Sequence, residues 1–246
     1  MRLLVTAYLF LFLFLGCHKN TSNEKVTSVD STSLKLLTEF QLEVPEPSGL
    51  AYNSKTNSLF TVSDGNSTVY EIDFTGRILR SIVIDNVDLE GIAFSSNYDT
   101  MYVVDEAYQL VAKYLSNGKK LNSFPLHVAT NKDHSLEGIT LDDENNLIVV
   151  NEKLPCLLVK LNGAQEISRT EIESVKDGAD ITYDKELDCL WLISDESKKI
   201  VRLSKSGETL TEYSLPFRKG EGIAIVKDKI YIVNDDNGKL YVFQKP

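Results

Sequence analysis

EGIAFSSNYDTMYVVDEAYQLVAKYLSNGKKLNSFPL, residues 90–126, is the stretch in which the fold can be read. It opens with an apolar run (EGIAF, 90–94). A second run ends in acids (TMYVVDE, 100–106), and a third follows (LVAKYLS, 110–116). After a turn at Gly118 comes a fourth. Alternating apolar residues, many of them β-branched or aromatic, bounded by Asn, Asp and Gly, mark antiparallel strands. Four short strands in about 42 residues make the blade of a β-propeller.

The unit is written five times. SGLAY (48–52), EGIAF (90–94), EGITL (137–141), ADITY (179–183) and EGIAI (221–225) align. Their second positions are Gly49, Gly91, Gly138, Asp180 and Gly222, spaced by 42, 47, 42 and 42 residues. Second runs follow as SLFTVSD, TMYVVDE, NLIVVNE, CLWLISD and KIYIVND. The fifth unit stops at Pro246 after three runs. Leu34–Val44 (LKLLTEFQLEV) precedes the first unit and resembles fourth runs such as ILRSIVI and TLTEYSL. A blade finished by the other end of the chain covers an otherwise exposed edge. The sequence therefore predicts an all-β, five-bladed propeller of four-stranded blades over residues 34–246, closed between its N- and C-terminal strands.

Residues 1–16 (MRLLVTAYLFLFLFLG) place Arg2 before an uncharged apolar run, the layout of a signal peptide too short for an ordinary membrane span. Cys17 follows directly. Phe14-Leu15-Gly16-Cys17 resembles a bacterial lipobox, with Phe where Leu is usual, so Cys17 is the expected lipidation site. Several acyl chains anchor stably, each buried CH₂ contributing about 0.8 kcal/mol. Residues 17–33 are polar and read as a tether. A propeller outside the cytoplasm, lipid-anchored at the cell membrane or outer membrane, is the expectation, as a monomer.

The 246 residues carry 26 Lys and Arg against 36 Asp and Glu, a net charge of −10. That balance argues against nucleic acid as a partner. Three cysteines are too few for a disulfide scaffold. Cys156 starts a third strand, on the acidic face, and Cys189 starts a second strand, on the opposite face, which argues against a bridge between them.

Strand direction puts the acids on one face. The inner strands start at Glu90, Glu137, Asp180 and Glu221. The second strands end at Asp64, Asp105, Glu152, Asp195 and Asp235, with Glu106, Glu196 and Asp236 next to them. Glu90, Glu137 and Glu221 are the candidate metal ligands, because converging carboxylates repel or recruit a cation, and calcium takes several oxygen ligands. Solvated acids, or acids capping turns, are the alternative, and turn capping is the reading for Asp64, Asp195 and Asp235. His18 lies in the tether and His127 carries no motif. His134 and Ser135 lie on the acidic face, without a nucleophile elbow. Trp191, Tyr102 and Tyr231 read as blade core.

Lipobox, tether, repeated EGIA-type inner strands and VVDE/ISDE second strands together resemble the SdiA-regulated family. The resemblance implies a membrane-associated bacterial propeller and carries no settled activity. The EG-I-A strands also resemble calcium-dependent propeller hydrolases, in which acids at the channel mouth hold calcium. Arg218, Lys219 and Lys132 are the only obvious basic candidates for a substrate phosphate. The favoured expectation is a non-catalytic protein whose acidic channel mouth binds a cation, a small ligand or an envelope protein. A calcium-dependent phosphoesterase or lactonase is the alternative.

Overall fold

The computed structural model describes residues 32–128, 134–153 and 155–246. The signal peptide, Cys17, His18 and most of the tether lie outside these residues, as does Lys132.

Thr32–Ser33 (β1) and Leu36–Gln41 (β2) precede the repeats. Blade 1 holds Pro47–Asn53 (β3), Ser58–Ser63 (β4), Thr68–Ile72 (β5) and Ile78–Val83 (β6). Blade 2 holds Leu89–Phe94 (β7), Thr100–Asp105 (β8), Leu110–Leu115 (β9) and Lys120–Pro125 (β10). Blade 3 holds Leu136–Leu141 (β11), Leu147–Asn151 (β12), Leu157–Asn162 (β13) and Gln165–Glu171 (β14). Blade 4 holds Asp180–Asp184 (β15), Cys189–Ser194 (β16), Lys199–Leu203 (β17) and Thr209–Ser214 (β18). Gly220–Val226 (β19), Lys229–Asn234 (β20) and Lys239–Gln244 (β21) complete the chain.

Each blade is an antiparallel sheet in sequence order, except the fifth, which runs β19-β20-β21-β2. There β2 pairs antiparallel with β21, Phe40 opposite Leu240 and Gln41 opposite Lys239. This is the closure expected from Leu34–Val44. Thr32–Ser33, expected to be tether, instead adds a short parallel strand to β18.

The cores lie between blades. Phe60 and Val62 of blade 1 cluster with Ile92, Phe94 and Met101 of blade 2. Trp191 of blade 4 packs with Ile232 and Phe243 of blade 5. The two faces of each sheet are thus both buried, and the inner strands turn an edge toward the central channel. Trp191 and Tyr231 are buried and Tyr102 packs against a core, as expected. Cys156 and Cys189 are buried free thiols, consistent with their placement in the sequence.

Candidate functional site: the acidic channel mouth

The glycine column sets the width of the channel. A Cβ on Gly91 would stand 2.3 Å from the Glu137 carbonyl oxygen, and one on Gly222 would stand 2.6 Å from the Gly49 carbonyl carbon. Neighbouring inner strands therefore touch backbone to backbone, which only glycine permits. In four blades a β-bulge falls at this column, whereas β15, with Asp180 there, pairs without a register shift.

Asp180 fills the space the glycines leave. Its side chain is fully buried, and Oδ2 accepts hydrogen bonds from the Leu50 N–H at 3.0 Å and the Ile223 N–H at 2.9 Å. One side chain thus satisfies backbone donors from two other blades. Burial pushes its carboxyl up to about 8, against the pull of these N–H groups.

On one side of Asp180 lies a cavity of about 280 Å³ lined by Ser48, Glu90, Glu137, Ala179 and Glu221, the column preceding the glycines. All three predicted ligands therefore face one cavity, yet their surroundings differ. Glu90 accepts from the Ser48 hydroxyl at 2.7 Å and lies with Asp64 and Asp88 in one triad of carboxylates. Glu137 lies in a second triad with Glu106 and Glu152, whose ligand atoms are all within 4.8 Å of one another. Glu221 stands in neither triad and pairs with Lys219 at 3.2 Å.

Burial holds Glu137 well above the usual carboxylate range, and the charges of Glu90, Glu106, Glu221 and Glu152 push the same way. Among the described residues no group donates to Glu137 or forms an ion pair with it. Burial also raises Glu90, partly offset by Ser48, and Glu221, partly offset by Lys219. Asp88 is pushed up to about 6 by burial and then by its hydrogen bond to Asp64.

The turn-capping role expected of Asp195 and Asp235 falls to the residue before each, Ser194 Oγ accepting the Ser197 N–H and Asn234 Oδ1 the Asn237 N–H, both at 3.2 Å, whereas the Ser63 hydroxyl before Asp64 has no partner among the described residues. Ser63, Asp105, Asn151, Ser194 and Asn234 form one column, all buried. Asp105 receives hydrogen bonds from Asn86 at 2.7 Å, Val87 N–H at 3.2 Å and Tyr108 N–H at 3.0 Å. Asn151 Oδ1 accepts from Leu157 N–H at 2.6 Å. Asp105 therefore belongs with the turn holders, and Glu106 takes its place beside Glu137 and Glu152. Asp195 does one further job, accepting the Lys219 N–H at 2.6 Å across the blade boundary.

Sequence reasoning missed Asp88, Glu106 as a cluster member, and Lys153. Lys153 bridges Glu152 at 2.7 Å and Glu196 at 2.9 Å. Aligning the second runs one residue at a time separates the buried column from the cavity column and would have found Glu106. His134 is half-buried, and its Nδ1 is hydrogen-bonded to Glu152. The buried Ser135 hydroxyl has no partner among the described residues, so it does not engage that imidazole.

Several solved structures resemble this fold. A virginiamycin B lyase from Staphylococcus aureus aligns with a TM-score of 0.53 at 18% identity, covering 84% of this chain and 69% of its own. A nidogen/laminin complex aligns with a TM-score of 0.60 at 14% identity, covering 81% of this chain and 76% of the other. Likeness at such identity speaks to fold alone. The SdiA-regulated family matches residues 35–246, all but the start of the chain's described part, and the chain belongs to that family.

Proposed function

We propose that this protein is an envelope lipoprotein, anchored through Cys17, whose acidic channel mouth binds a divalent cation, calcium foremost. The observation that carries the reading is Glu137. It is a half-buried carboxylate with no donor and no counter-cation among the described residues, and two further carboxylates stand within 4.8 Å ligand-atom spacing of it. Such a group is protonated, solvated or neutralised by a cation, and the neighbouring carboxylates favour the last. The surrounding donors are carboxylate oxygens, which suit calcium or magnesium better than zinc or copper. Glu106, Glu137 and Glu152 would hold the ion, with Glu90 and Glu221 beside them.

A ligand that binds only the folded state raises the unfolding midpoint with concentration. Calcium is therefore expected to raise the midpoint of the wild type and to give a calorimetric heat. Both should be lost or strongly reduced in Glu137→Gln. An unmoved midpoint and no heat at saturating calcium and magnesium would show that the mouth is only a solvated acidic surface. For the anchor, Cys17→Ser is expected to release the protein from membranes or leave an uncleaved precursor. Unchanged fractionation and mass would refute lipidation.

A second reading rests on the His134–Glu152 contact. Glu152, itself a member of the second triad, holds one ring nitrogen, and among the described residues nothing is hydrogen-bonded to Nε2. A general base next to a bound cation is the arrangement of metal-assisted hydrolysis. Phosphoester and lactone substrates, tested with and without calcium on wild type and His134→Ala, decide it. Calcium-dependent turnover lost in the variant would favour the hydrolase.

A further inference from the structure

The other end of the channel holds a larger cavity, of about 400 Å³. Ala179 lines the acidic cavity and Ile181 lines this one, with the buried Asp180 between them, and the two cavities share no lining residue. The cavity is therefore a blind pocket rather than one end of an open pore. We propose that it binds a neutral sugar, a mono- or disaccharide that sets the flat C–H face of a ring against tyrosines and its hydroxyls against the polar lining.

Size and charge come first. The volume lies near the lower end of small-molecule sites, roughly 300–1,000 Å³, which suits a molecule of one or two rings rather than a polymer. Four carboxylates and three lysines line the pocket. Asp184 and Glu186 share the Lys245 ammonium, at 3.0 and 2.8 Å. From outside the lining, Lys160 holds Asp142 at 2.7 Å and Lys205 holds Asp143 at 3.1 Å. Lys185 and Lys227 have no acid partner among the described residues. Neither sign prevails, so a charge on the ligand would meet attraction and repulsion alike. A neutral molecule leaves the existing pairs intact.

The lining then decides between an apolar and a polar neutral ligand. The floor residues Leu50, Ile92, Ile139 and Ile181 are each only 1% exposed, so they offer little apolar area. The lining also carries the hydroxyls of Ser96, Tyr98 and Thr182, none of which has a hydrogen-bond partner among the described residues. An apolar ligand would cover these hydroxyls and the ion pairs without replacing their water. A polyol replaces it, since each of its hydroxyls both donates and accepts. Flat apolar area comes from Tyr52 and Tyr183. Their hydroxyls are tied to Asn57 at 3.1 Å and Asp188 at 2.6 Å, so little is left to order when a sugar ring arrives.

The test is titration of the purified full-length protein by calorimetry and saturation-transfer NMR, in chelator so that no cation occupies the acidic mouth. The neutral probes are glucose, galactose, N-acetylglucosamine, maltose and cellobiose. Glucuronate, protonated glucosamine and 2-naphthol are the anionic, cationic and apolar comparisons. At least one neutral sugar is expected to bind more tightly than all three comparisons, with an affinity that salt changes by less than about twofold. Tyr98→Phe and Thr182→Val each remove a hydroxyl that no other protein group uses, so the unfolding midpoint should hold while that affinity falls about threefold to tenfold. Glu137→Gln should leave it unchanged, which separates this pocket from the cation site. Four results would each overturn the proposal: no binding of any neutral sugar, tighter binding of a charged comparison, tighter binding of naphthol, or an affinity that both hydroxyl variants leave intact.

Discussion

Asp180 occupies the one position in the glycine column where a side chain fits, and it fits because its four counterparts have none. The N–H groups of Leu50 and Ile223 converge on its Oδ2, so one carboxylate replaces the water that a buried strand edge would otherwise need. Asp180→Asn keeps the volume, and its amide oxygen can take the place of Oδ2 and accept both N–H groups. Because burial pushes the carboxyl up to about 8, the wild type is mostly protonated at pH 7, and the substitution should cost less than about 1 kcal/mol there, read from denaturant unfolding. The pH dependence has a definite sign. Its folded value of about 8 lies above the ordinary aspartate value, so the folded state holds this proton more tightly than the unfolded state does. The associated stability is fully present below about pH 4 and is lost as pH rises through about 8. The raised values of Glu90, Glu137 and Glu221 act in the same direction. Unfolding free energies measured between pH 5 and 9 should therefore fall with pH in the wild type and fall less steeply in Asp180→Asn. Identical slopes would show that Asp180 titrates as it does in the unfolded chain. The acids Glu90, Glu137 and Glu221 were legible because each opens a repeat. The role of Asp180 was not, since a repeat alignment records a departure from glycine without saying what the vacated axis holds.

At the scale of the strand, the pattern of four runs per unit was legible because each alternates apolar and polar residues between Asn, Asp and Gly turns. The two residues of β1 sit in a polar stretch with no alternation, and nothing local marks them as a strand. The bulges at the glycine column were equally silent, although they decide how closely the inner strands approach. Gly91→Ala tests that approach. Its Cβ would stand 2.3 Å from the Glu137 carbonyl oxygen, 3.0 Å from Ile139 N and 3.0 Å from Val104 Cγ2. Two of these atoms are backbone, so β7 and β11 must separate rather than a side chain rotate. Overpacking of this kind typically costs about 1–3 kcal/mol. Because the displaced carbonyl belongs to Glu137, calcium affinity should fall as well if the proposed site is right. Gly163→Ala is the control, with no heavy atom within 4 Å of the added carbon. Its φ of +60° alone should cost roughly 1–2 kcal/mol, with calcium affinity unchanged.

The whole ring stands or falls on its closure, because no blade owns a core. Each of the five apolar clusters is shared by two neighbouring blades, including the one that joins the last blade to the first. In that cluster Leu42 and Val44 follow β2 and pack with Leu50, Leu59 and Ile72 of blade 1 and with Val233 and Leu240 of blade 5. The segment thus supplies the fourth strand of blade 5 and part of the seam beside it. Its place was legible in the sequence by arithmetic, since the last unit was one run short. The contribution of Leu42 and Val44 to the seam was not, because they lie beyond the paired residues of β2. Two truncations separate the ring from what precedes it. A chain beginning at Thr32 keeps every strand described and should unfold at the same midpoint as the full chain. A chain beginning at Pro45 loses β2, leaves the outer edge of β21 unpaired and strips two buried side chains from the seam, a loss of roughly 3–6 kcal/mol from those side chains alone. In a domain of this size that is a midpoint lower by about 10 °C or more, with edge-to-edge association visible by size-exclusion chromatography. A monomer of unchanged midpoint from the shorter chain would mean that the ring holds without its N-terminal strand.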